Sequence, residues 1–324
     1  MTKPRLLLVE PDAYEDDLIR KLQSVFDLHI ARPTDPASLR LSIVDVRPHV
    51  LLVGIGIPIG VSEAENAPEL QLVACPATGI EHIDLEALAR RRIRVISFSG
   101  RSTELSSVSG TAELAWALLL ALARRLPDAF GSVRAGEWRR SEFQGVQLRG
   151  RCLAVVGHGR LGGLVAEYGR AFQMNLLVVD PEPKGNFLSH ELCVIEEAFE
   201  RADAISLHVP LTEKTENMVT EKLLKHALRA PLLINTSRGE VVDERAVAHA
   251  IRSGVLSGYG TDVISGDSRW GVRTTQNPIT PLIQEGHNVV VTPHIGGLTR
   301  EGVRTTRDLI VEDLLAEIRR SPIS

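Results

Sequence analysis

The sequence predicts an α/β protein with two Rossmann-like domains, each a parallel sheet flanked by helices, and with an interdomain cleft. Short apolar runs alternate with segments of helical spacing twice, once before residue 100 and once after residue 150. In the second series, a Gly-x-Gly-x-x-Gly motif joins an apolar run to a helical segment. A chain of 324 residues also exceeds what one hydrophobic core usually serves.

The first series extends over residues 1–100 and alternates strands with helices. Its predicted strands are residues 6–9, 28–30, 50–53, 72–74 and 93–96, and its predicted helices are 16–26 and 85–91. This alternation is typical of a parallel sheet covered by helices. An almost uniformly apolar helix is predicted next, from Thr111 to Arg125, and we expect it to be buried between layers or domains.

The second series contains enough strands for one complete dinucleotide-binding domain. Its predicted strands are residues 152–156, 176–179, 204–207, 232–234, 257–259 and 289–291. The helix predicted over 300–319 follows without a strand of its own, so we expect it to pack on the first domain. The predicted domains are therefore residues 1–100 with 297–324, and residues 101–296.

The glycine loop, residues 157–162, predicts a dinucleotide site. Gly157 permits a tight turn, Gly159 lets the backbone approach a pyrophosphate, and Gly162 lets the following helix pack closely. The helix N-terminus offers free N–H groups and a positive dipole end. Asp180 ends the next strand, 18 residues after Gly162, where it would accept hydrogen bonds from the adenosine ribose. That carboxylate would repel the extra phosphate of NADP, so NAD is the predicted cofactor.

Four charged or titratable side chains follow strands of the same series: Arg238, Asp262, Asp267 and His294. Hydride transfer to a 2-keto acid needs a cation for the substrate, an acid for the new hydroxyl, and a group that sets that acid's pKa. Singly, such residues are usually surface, capping or turn residues. Their convergence on one predicted sheet edge favours an oxidoreductase site.

Composition excludes several other classes. A net charge of −4 argues against a nucleic-acid-binding surface, and no apolar run approaches a membrane span of about 20 residues. The N-terminus does not resemble a signal peptide. The three cysteines, Cys75, Cys152 and Cys193, lack metal-site spacing and suggest a reducing compartment. A cytoplasmic protein without a metal site is expected.

Motifs along nearly the whole chain carry a family resemblance. They are residues 78–84, 111–114, 136–139, the glycine loop, 208–212, 235–239 with 242–244, and 292–297. With these motifs the chain resembles the D-isomer-specific 2-hydroxyacid dehydrogenases, the family of phosphoglycerate dehydrogenase and of glyoxylate/hydroxypyruvate reductase. The resemblance implies a flavodoxin-like substrate-binding domain in residues 1–100 and 297–324, an NAD-binding Rossmann domain in 101–296, and a homodimer formed through the helix from Thr111 and residues 136–140.

The same resemblance implies roles for individual residues. Arg238 would orient the substrate, His294 would donate the proton during reduction, and Asp267 would pair with His294. Backbone N–H groups at Thr78 and Gly79 would hold the substrate carboxylate. The implied cofactor-binding residues, with Thr236, Asp262 and Gly297 on the nicotinamide side, are Thr111, Gly157, Gly159, Arg160, Leu161, Gly162, Asp180, Val209, Pro210, Thr236, Ser237, Arg238, Asp262, His294 and Gly297.

Departures from the family pattern bear on the substrate and on the acid. The family usually has Glu followed by Pro at the acidic position, whereas this chain has Asp267 and Ser268. Because Asp is one methylene shorter, pairing with His294 would need a backbone shift or a bridging water. Residues 54–57 lack the Arg with which phosphoglycerate dehydrogenases bind phosphate, although Arg139 or Arg140 of a partner subunit could supply one.

We therefore predict reduction of a small, non-phosphorylated 2-keto acid of the glyoxylate or hydroxypyruvate type, with phosphoglycerate dehydrogenation in serine biosynthesis as the alternative. His158, inside the glycine loop, is expected to face solvent. An alternative of another class is an NAD-binding, corepressor-like interaction protein, which can keep the same motifs. A formate dehydrogenase would need a polar amide at position 267, so Asp267 argues against that activity.

Overall fold

The structure is a computed structural model that describes residues 3–182, 190–267, 276–321 and 323. The chain divides into two compact units. The first unit includes residues 3–108 and 299–321, and the second includes 109–182, 190–266 and 276–298.

Strands and helices alternate through most of the described chain. The strands are β1 Arg5–Val9, β2 Asp27–Ala31, β3 Val50–Leu52, β4 Leu72–Ala74, β5 Arg94–Ile96, β6 Cys152–Val156, β7 Asn175–Val179, β8 Glu191–Leu192, β9 Ala204–Leu207, β10 Leu232–Asn235, β11 Gly258–Thr261 and β12 Val289–Val291. The helices are α1 Asp16–Val25, α2 Pro36–Val46, α3 Val61–Asn66, α4 Leu85–Arg90, α5 Gly110–Ala123, α6 Leu126–Arg134, α7 Arg160–Ala171, α8 Ile195–Arg201, α9 Glu221–Leu224, α10 Glu244–Arg252, α11 Pro281–Gln284 and α12 Arg300–Arg320.

The first unit contains a parallel sheet of order β2-β1-β3-β4-β5, the order of flavodoxin-like folds. Its central strands are fully buried, because apolar side chains on both faces are covered by helices. Each face of the sheet has its own hydrophobic core, and Ile310, Val311 and Leu314 of α12 belong to one of them. The C-terminal helix therefore belongs to the first unit.

Residues 101–108 also pack with the first unit, beyond the predicted boundary at residue 100. Leu105 is buried in the same core as α12. Arg101 Nη1 donates to Asp313 Oδ2 of α12 at 2.6 Å. These two contacts keep the segment with the first sheet until α5 begins.

The second unit contains a parallel sheet of order β12-β11-β10-β9-β6-β7-β8. The strand order reverses between β6 and β9, which is the switch point where doubly wound sheets bind ligands. α5 is buried and packs against β10, β11 and α7, as its uniformly apolar sequence requires.

Two elements, β8 and α2, were not expected from the sequence, each for a physical reason. β8 adds a seventh strand to the predicted six, and both of its residues are exposed, so it carries no apolar pattern. α2 was not predicted, because Leu41 and Val44 face solvent and obscure the helical period. Asp35 nevertheless caps α2 by accepting from Ser38 N at 2.8 Å.

Within the described residues, no helix combines the length and apolarity needed to cross a membrane.

Candidate active site

The glycine loop lies at the switch point of the second sheet, between the ends of β6 and β9. His208 N, just after β9, donates to Val156 O of β6 at 2.7 Å. Gly157 has φ +89°, and a Cβ added there would lie 2.6 Å from His208 O. Both facts require glycine, so the tight turn inferred from the sequence is present. Burial lowers the pKa of His208 to about 4, and its Nε2 lies 2.8 Å from Ser206 Oγ.

The N-terminus of α7 has room for an anion. Gly159 is its N-cap, no side chain caps the helix, and a Cβ added at Gly159 would have nothing within 4 Å. A Cβ added at Gly162 would overlap Gly157 O, so the loop closes tightly on the helix. Arg160 is half-buried, and burial lowers its pKa. Exposed N–H groups, open space and a cation fit the pyrophosphate of a dinucleotide.

Asp180 follows β7 and ties the glycine loop to it. Its Oδ2 accepts from His158 N at 2.6 Å, and its Oδ1 accepts from Glu182 N at 2.8 Å. Each carboxylate oxygen has a second lone pair, so ribose hydroxyls can still be accepted. The expectation for His158 was wrong. His158 is only 5% exposed and does not face solvent. Its ring packs edge-to-face on the His190 ring, with 5.3 Å between the ring centroids.

Asn235, the last residue of β10, shapes the turn that carries Arg238. Its Oδ1 accepts from Ser237 N at 3.0 Å and from Ser237 Oγ at 2.7 Å, while its Nδ2 donates to Arg238 O at 2.9 Å. Arg238 is half-buried, with Nη1 donating to Ser237 O at 2.7 Å. The buried Thr236 Oγ1 has no hydrogen-bond partner within the described part of the chain, which fits a hydroxyl that awaits a ligand.

Asp262, after β11, holds the loop that carries His294. Its Oδ1 accepts from Thr292 Oγ1 at 2.6 Å and from Ile295 N at 2.8 Å, and its Oδ2 accepts from Gly296 N at 2.7 Å. Its backbone O accepts from His294 N at 2.8 Å. Asp262 is 2% exposed, so these bonds are made away from water. The side chain therefore fixes the shape of residues 292–296 from within.

The backbone of His294 is held in a rarely occupied conformation. Its φ is 54°, in the left-handed region that costs a non-glycine residue about 1–2 kcal/mol. Gly296 closes the same loop against Thr111 of α5, because a Cβ there would lie 2.9 Å from Asp262 Oδ2 and 3.2 Å from Thr111 Cγ2. The half-buried His294 is thus set by the loop and not by helix or strand geometry.

The segment that precedes Asp267 is anchored by two glutamates. Ser265 N donates to Glu244 Oε1 at 3.0 Å, and Gly266 N donates to Glu240 Oε1 at 2.8 Å. Gly239 is needed here as well, since a Cβ would overlap the backbone of Ile264. Asp267 is half-buried and ends the described stretch 190–267, and Ser268 lies outside the described residues.

The predicted substrate-carboxylate site lies in the first unit, after β4. Within the described residues, neither Thr78 N nor Gly79 N donates to a protein acceptor. Thr78 is exposed and Gly79 is half-buried, so both N–H groups belong to an accessible loop. Two consecutive free N–H groups can bind a carboxylate.

The remaining predicted cofactor residues lie on the same edge of the second sheet. Half-buried Leu161 lies in the first turn of α7, and half-buried Val209 and exposed Pro210 follow β9. Exposed Gly297 follows the His294 loop, and a Cβ added there would have nothing within 4 Å.

Sequence reasoning assigned no role to the residues that shape the site, although Asn235, Thr292 and Glu244 lie within the motifs named above. Asn235, Thr292, Glu240 and Glu244 each bond to a loop that carries a predicted site residue. The position of Asn235 directly after an apolar run was a usable signal for a turn. Glu240 and Glu244 gave no such signal, since their partners are backbone N–H groups more than 20 residues away.

Comparison with known proteins confirms the family resemblance drawn from the sequence. Residues 116–296 match the family model described as D-isomer specific 2-hydroxyacid dehydrogenase, NAD binding domain. The chain is 34% identical over 308 residues to a glyoxylate reductase of Korarchaeum cryptofilum (strain OPF8), covering 92% of this chain and 88% of that protein. It is 31% identical to a D-3-phosphoglycerate dehydrogenase of Methanocaldococcus jannaschii, covering 97% of this chain but 57% of that protein. A crystal structure of D-lactate dehydrogenase from Aquifex aeolicus, complexed with NAD and lactic acid, matches with a TM-score of 0.82 at 26% identity, covering 97% and 96% of the two chains.

Proposed function

We propose that this chain, which belongs to the D-isomer-specific 2-hydroxyacid dehydrogenase family, reduces small non-phosphorylated 2-keto acids of the glyoxylate or hydroxypyruvate type. It is an NAD-dependent oxidoreductase. The observation that carries the proposal is that three neighbouring strands, β10, β11 and β12, are followed by Arg238, Asp262 and His294 at one edge of one sheet.

Each residue has a distinct part in the proposed mechanism. NAD(H), when bound at the glycine loop, supplies or accepts the hydride. The Arg238 guanidinium orients the substrate and polarises its carbonyl, and the Thr78 and Gly79 N–H groups bind the carboxylate. His294 donates a ring proton to the carbonyl oxygen during reduction and takes it back during oxidation. Arg238 and His294 are both half-buried, so water is partly excluded around them.

We propose Asp267 as the positioning residue for His294. A carboxylate against one imidazole nitrogen fixes the tautomer and favours the protonated ring. In Asp267→Asn, the pH above which reduction fails should move to lower values, and turnover should fall. Asp243→Asn, which keeps an N-cap residue on α10, is the matched control and should leave the profile unchanged. An unchanged profile in Asp267→Asn would limit Asp267 to a turn role.

A non-phosphorylated substrate is supported by the side chains at hand. Residues 54–57, Gly-Ile-Gly-Ile, contain no cation to bind a phosphate. Arg139 is paired with Glu137 and, at 3.3 Å, with Glu142. NAD over NADP is supported by the Asp180 carboxylate, which would repel a 2′-phosphate on the ribose.

We also propose a C₂ homodimer formed through α5, α6 and residues 136–140. Large apolar side chains are exposed beside α5: Trp138 is 86% exposed, Phe130 67% and Val133 57%. Such a patch favours association with a second copy. Light scattering at micromolar concentration should give twice the chain mass, and a monomeric mass would refute the dimer.

The free state of Cys75, Cys152 and Cys193 supports a cytoplasmic location.

The activity is tested by following NADH and NADPH absorbance with a series of 2-keto acids. We expect oxidation of NADH with glyoxylate or hydroxypyruvate, a D-configured product wherever the new carbon is chiral, and weak use of 3-phosphooxypyruvate. Absence of 2-keto-acid-dependent NADH oxidation across the series would refute the proposal. A preference for 3-phosphooxypyruvate would favour phosphoglycerate dehydrogenation instead.

A further inference from the structure

Glu240, two residues after Arg238, connects three loops at one edge of the second sheet. It belongs to the short 3₁₀ turn Gly239–Val241, which follows β10. Its backbone O accepts from Asn217 N, in the loop after β9, at 2.7 Å. Its carboxylate Oε1 accepts from Gly266 N, in the loop after β11, at 2.8 Å. Glu240 therefore joins the loop that carries Arg238 to the loops of both neighbouring strands.

The bond from Gly266 to the Glu240 carboxylate fixes the turn directly before Asp267. Gly266 has φ +77°, a left-handed conformation that glycine adopts as readily as others, so its own sequence does not hold it there. The conformation of Gly266 sets the point from which the next side chain, that of Asp267, extends. Because an aspartate side chain is short, a small shift of this backbone would take the carboxylate away from a partner.

A second glutamate holds the same loop one residue earlier. Ser265 N donates to Glu244 Oε1 at 3.0 Å, and Asn277 Nδ2 donates to Glu244 Oε2 at 2.6 Å. Glu244 is 8% exposed, so it anchors the loop from inside the fold, whereas Glu240 is half-buried. Since Ser265 stays anchored without Glu240, loss of the bond at Gly266 should free the turn without unfolding the loop.

Resting on the proposed reduction of 2-keto acids and on the part of Asp267 in it, we propose that Glu240 is a positioning residue for Asp267. It acts through the hydrogen bond to Gly266 N and not through its charge at a distance. A bond from a backbone N–H to a carboxylate is stronger than one between neutral groups, which suits a turn that must be held still. The bond keeps Asp267 where it supports His294, so Glu240 influences proton donation without touching the substrate.

Two substitutions separate the hydrogen bond from the charge. Glu240→Gln keeps an oxygen that can accept from Gly266 N but removes the charge. Glu240→Asp keeps the charge but withdraws the carboxylate by about 1.5 Å, out of hydrogen-bond reach. We expect kcat for 2-keto-acid reduction to fall about tenfold in Glu240→Asp and less than about threefold in Glu240→Gln. The pH above which reduction fails should move down by about one unit in Glu240→Asp and stay near the native value in Glu240→Gln.

The route through Asp267 is tested by combining substitutions. Adding Glu240→Asp to Asp267→Asn should change kcat by less than about twofold, because the side chain that Glu240 positions is already altered. Glu216→Gln and Glu216→Asp make the same two changes at an exposed position in the loop after β9, and both should leave kcat and the pH profile unchanged. The Kd for NADH, from fluorescence titration, should stay within about twofold in every variant and shows that each one folds.

The outcomes separate this inference from the proposed function. If the native enzyme reduces 2-keto acids and Glu240→Asp keeps the native kcat and pH profile, the role of Glu240 is refuted and the proposed function stands. Equal losses in Glu240→Gln and Glu240→Asp would assign the effect to charge and refute the role of the hydrogen bond. A native profile in Asp267→Asn, or a full further loss in the double variant, would refute the route through Asp267. If no 2-keto acid is reduced, the proposed function fails and the role of Glu240 fails with it.

Discussion

Asp262→Asn is the substitution for which the structure gives the clearest expected cost. The native carboxylate accepts three hydrogen bonds from Thr292 Oγ1, Ile295 N and Gly296 N. An amide in its place can keep the two bonds to one oxygen but turns an N–H₂ group toward Gly296 N. One charge-assisted bond is lost and a buried donor is left unsatisfied, which costs about 2–4 kcal/mol.

The same change should impair activity through His294. Its left-handed backbone, φ 54°, is maintained by this loop and would relax when the tether weakens. A displacement near 1 Å reduces catalysis by about 10²-fold. We expect kcat/KM for 2-keto-acid reduction to fall by about 10–100-fold, and the free energy of unfolding, measured by urea denaturation without cofactor, to fall by about 2–4 kcal/mol.

Asp203→Asn is the matched control for this experiment. Asp203 Oδ2 accepts from Cys152 N at 2.8 Å, before the start of β9 and thus at the opposite edge of the sheet. This variant should lose stability while keeping kcat/KM. Native stability and activity in Asp262→Asn, or an equal loss of activity in Asp203→Asn, would refute the tethering role of Asp262.

Three further predictions concern the cofactor side of the second unit. Asp180→Ala removes the acceptor for His158 N, so kcat/KM with NADH should fall while that with NADPH rises or holds; native kcat/KM with NADPH at or above that with NADH would contradict this. Gly157→Ala places a Cβ 2.6 Å from His208 O at a residue with φ +89°, so both the melting temperature and the NADH affinity, measured by calorimetry, should fall. Native values of both would contradict the claim that position 157 requires glycine. His208 has a folded-state pKa of about 4, below its ordinary 6.5, so its contribution to stability is present above pH 6.5 and is lost as pH falls toward 4. Between pH 6.5 and pH 4, the free energy of unfolding of His208→Asn should fall by up to about 3 kcal/mol less than that of the native protein. The same fall in both proteins would contradict the lowered pKa of His208.

The sequence was informative where a residue's role depends on its chain neighbours. The glycine loop, Asp180, Arg238 and His294 could all be placed after strands, because apolar runs and glycine spacing are local signals. Most strands were predicted within one or two residues for the same reason.

Features that depend on distant partners were not predictable from the sequence. His158 was expected in solvent, but its N–H bonds to Asp180, 22 residues away, and its side chain is buried. Asp262 was expected to line the nicotinamide, and nothing local indicated that its carboxylate holds residues 292–296.

The most direct test of the proposed reaction is a comparison of NADH binding and turnover in the native enzyme and in His294→Asn. Asn tolerates the left-handed conformation found at position 294, so the loop should keep its shape. We expect the Kd for NADH, from fluorescence titration, to stay within about twofold, because the glycine loop and Asp180 are unchanged. We expect kcat for 2-keto-acid reduction to fall by about 10²–10⁴-fold. Native turnover in His294→Asn would contradict the assignment of His294 as the proton donor.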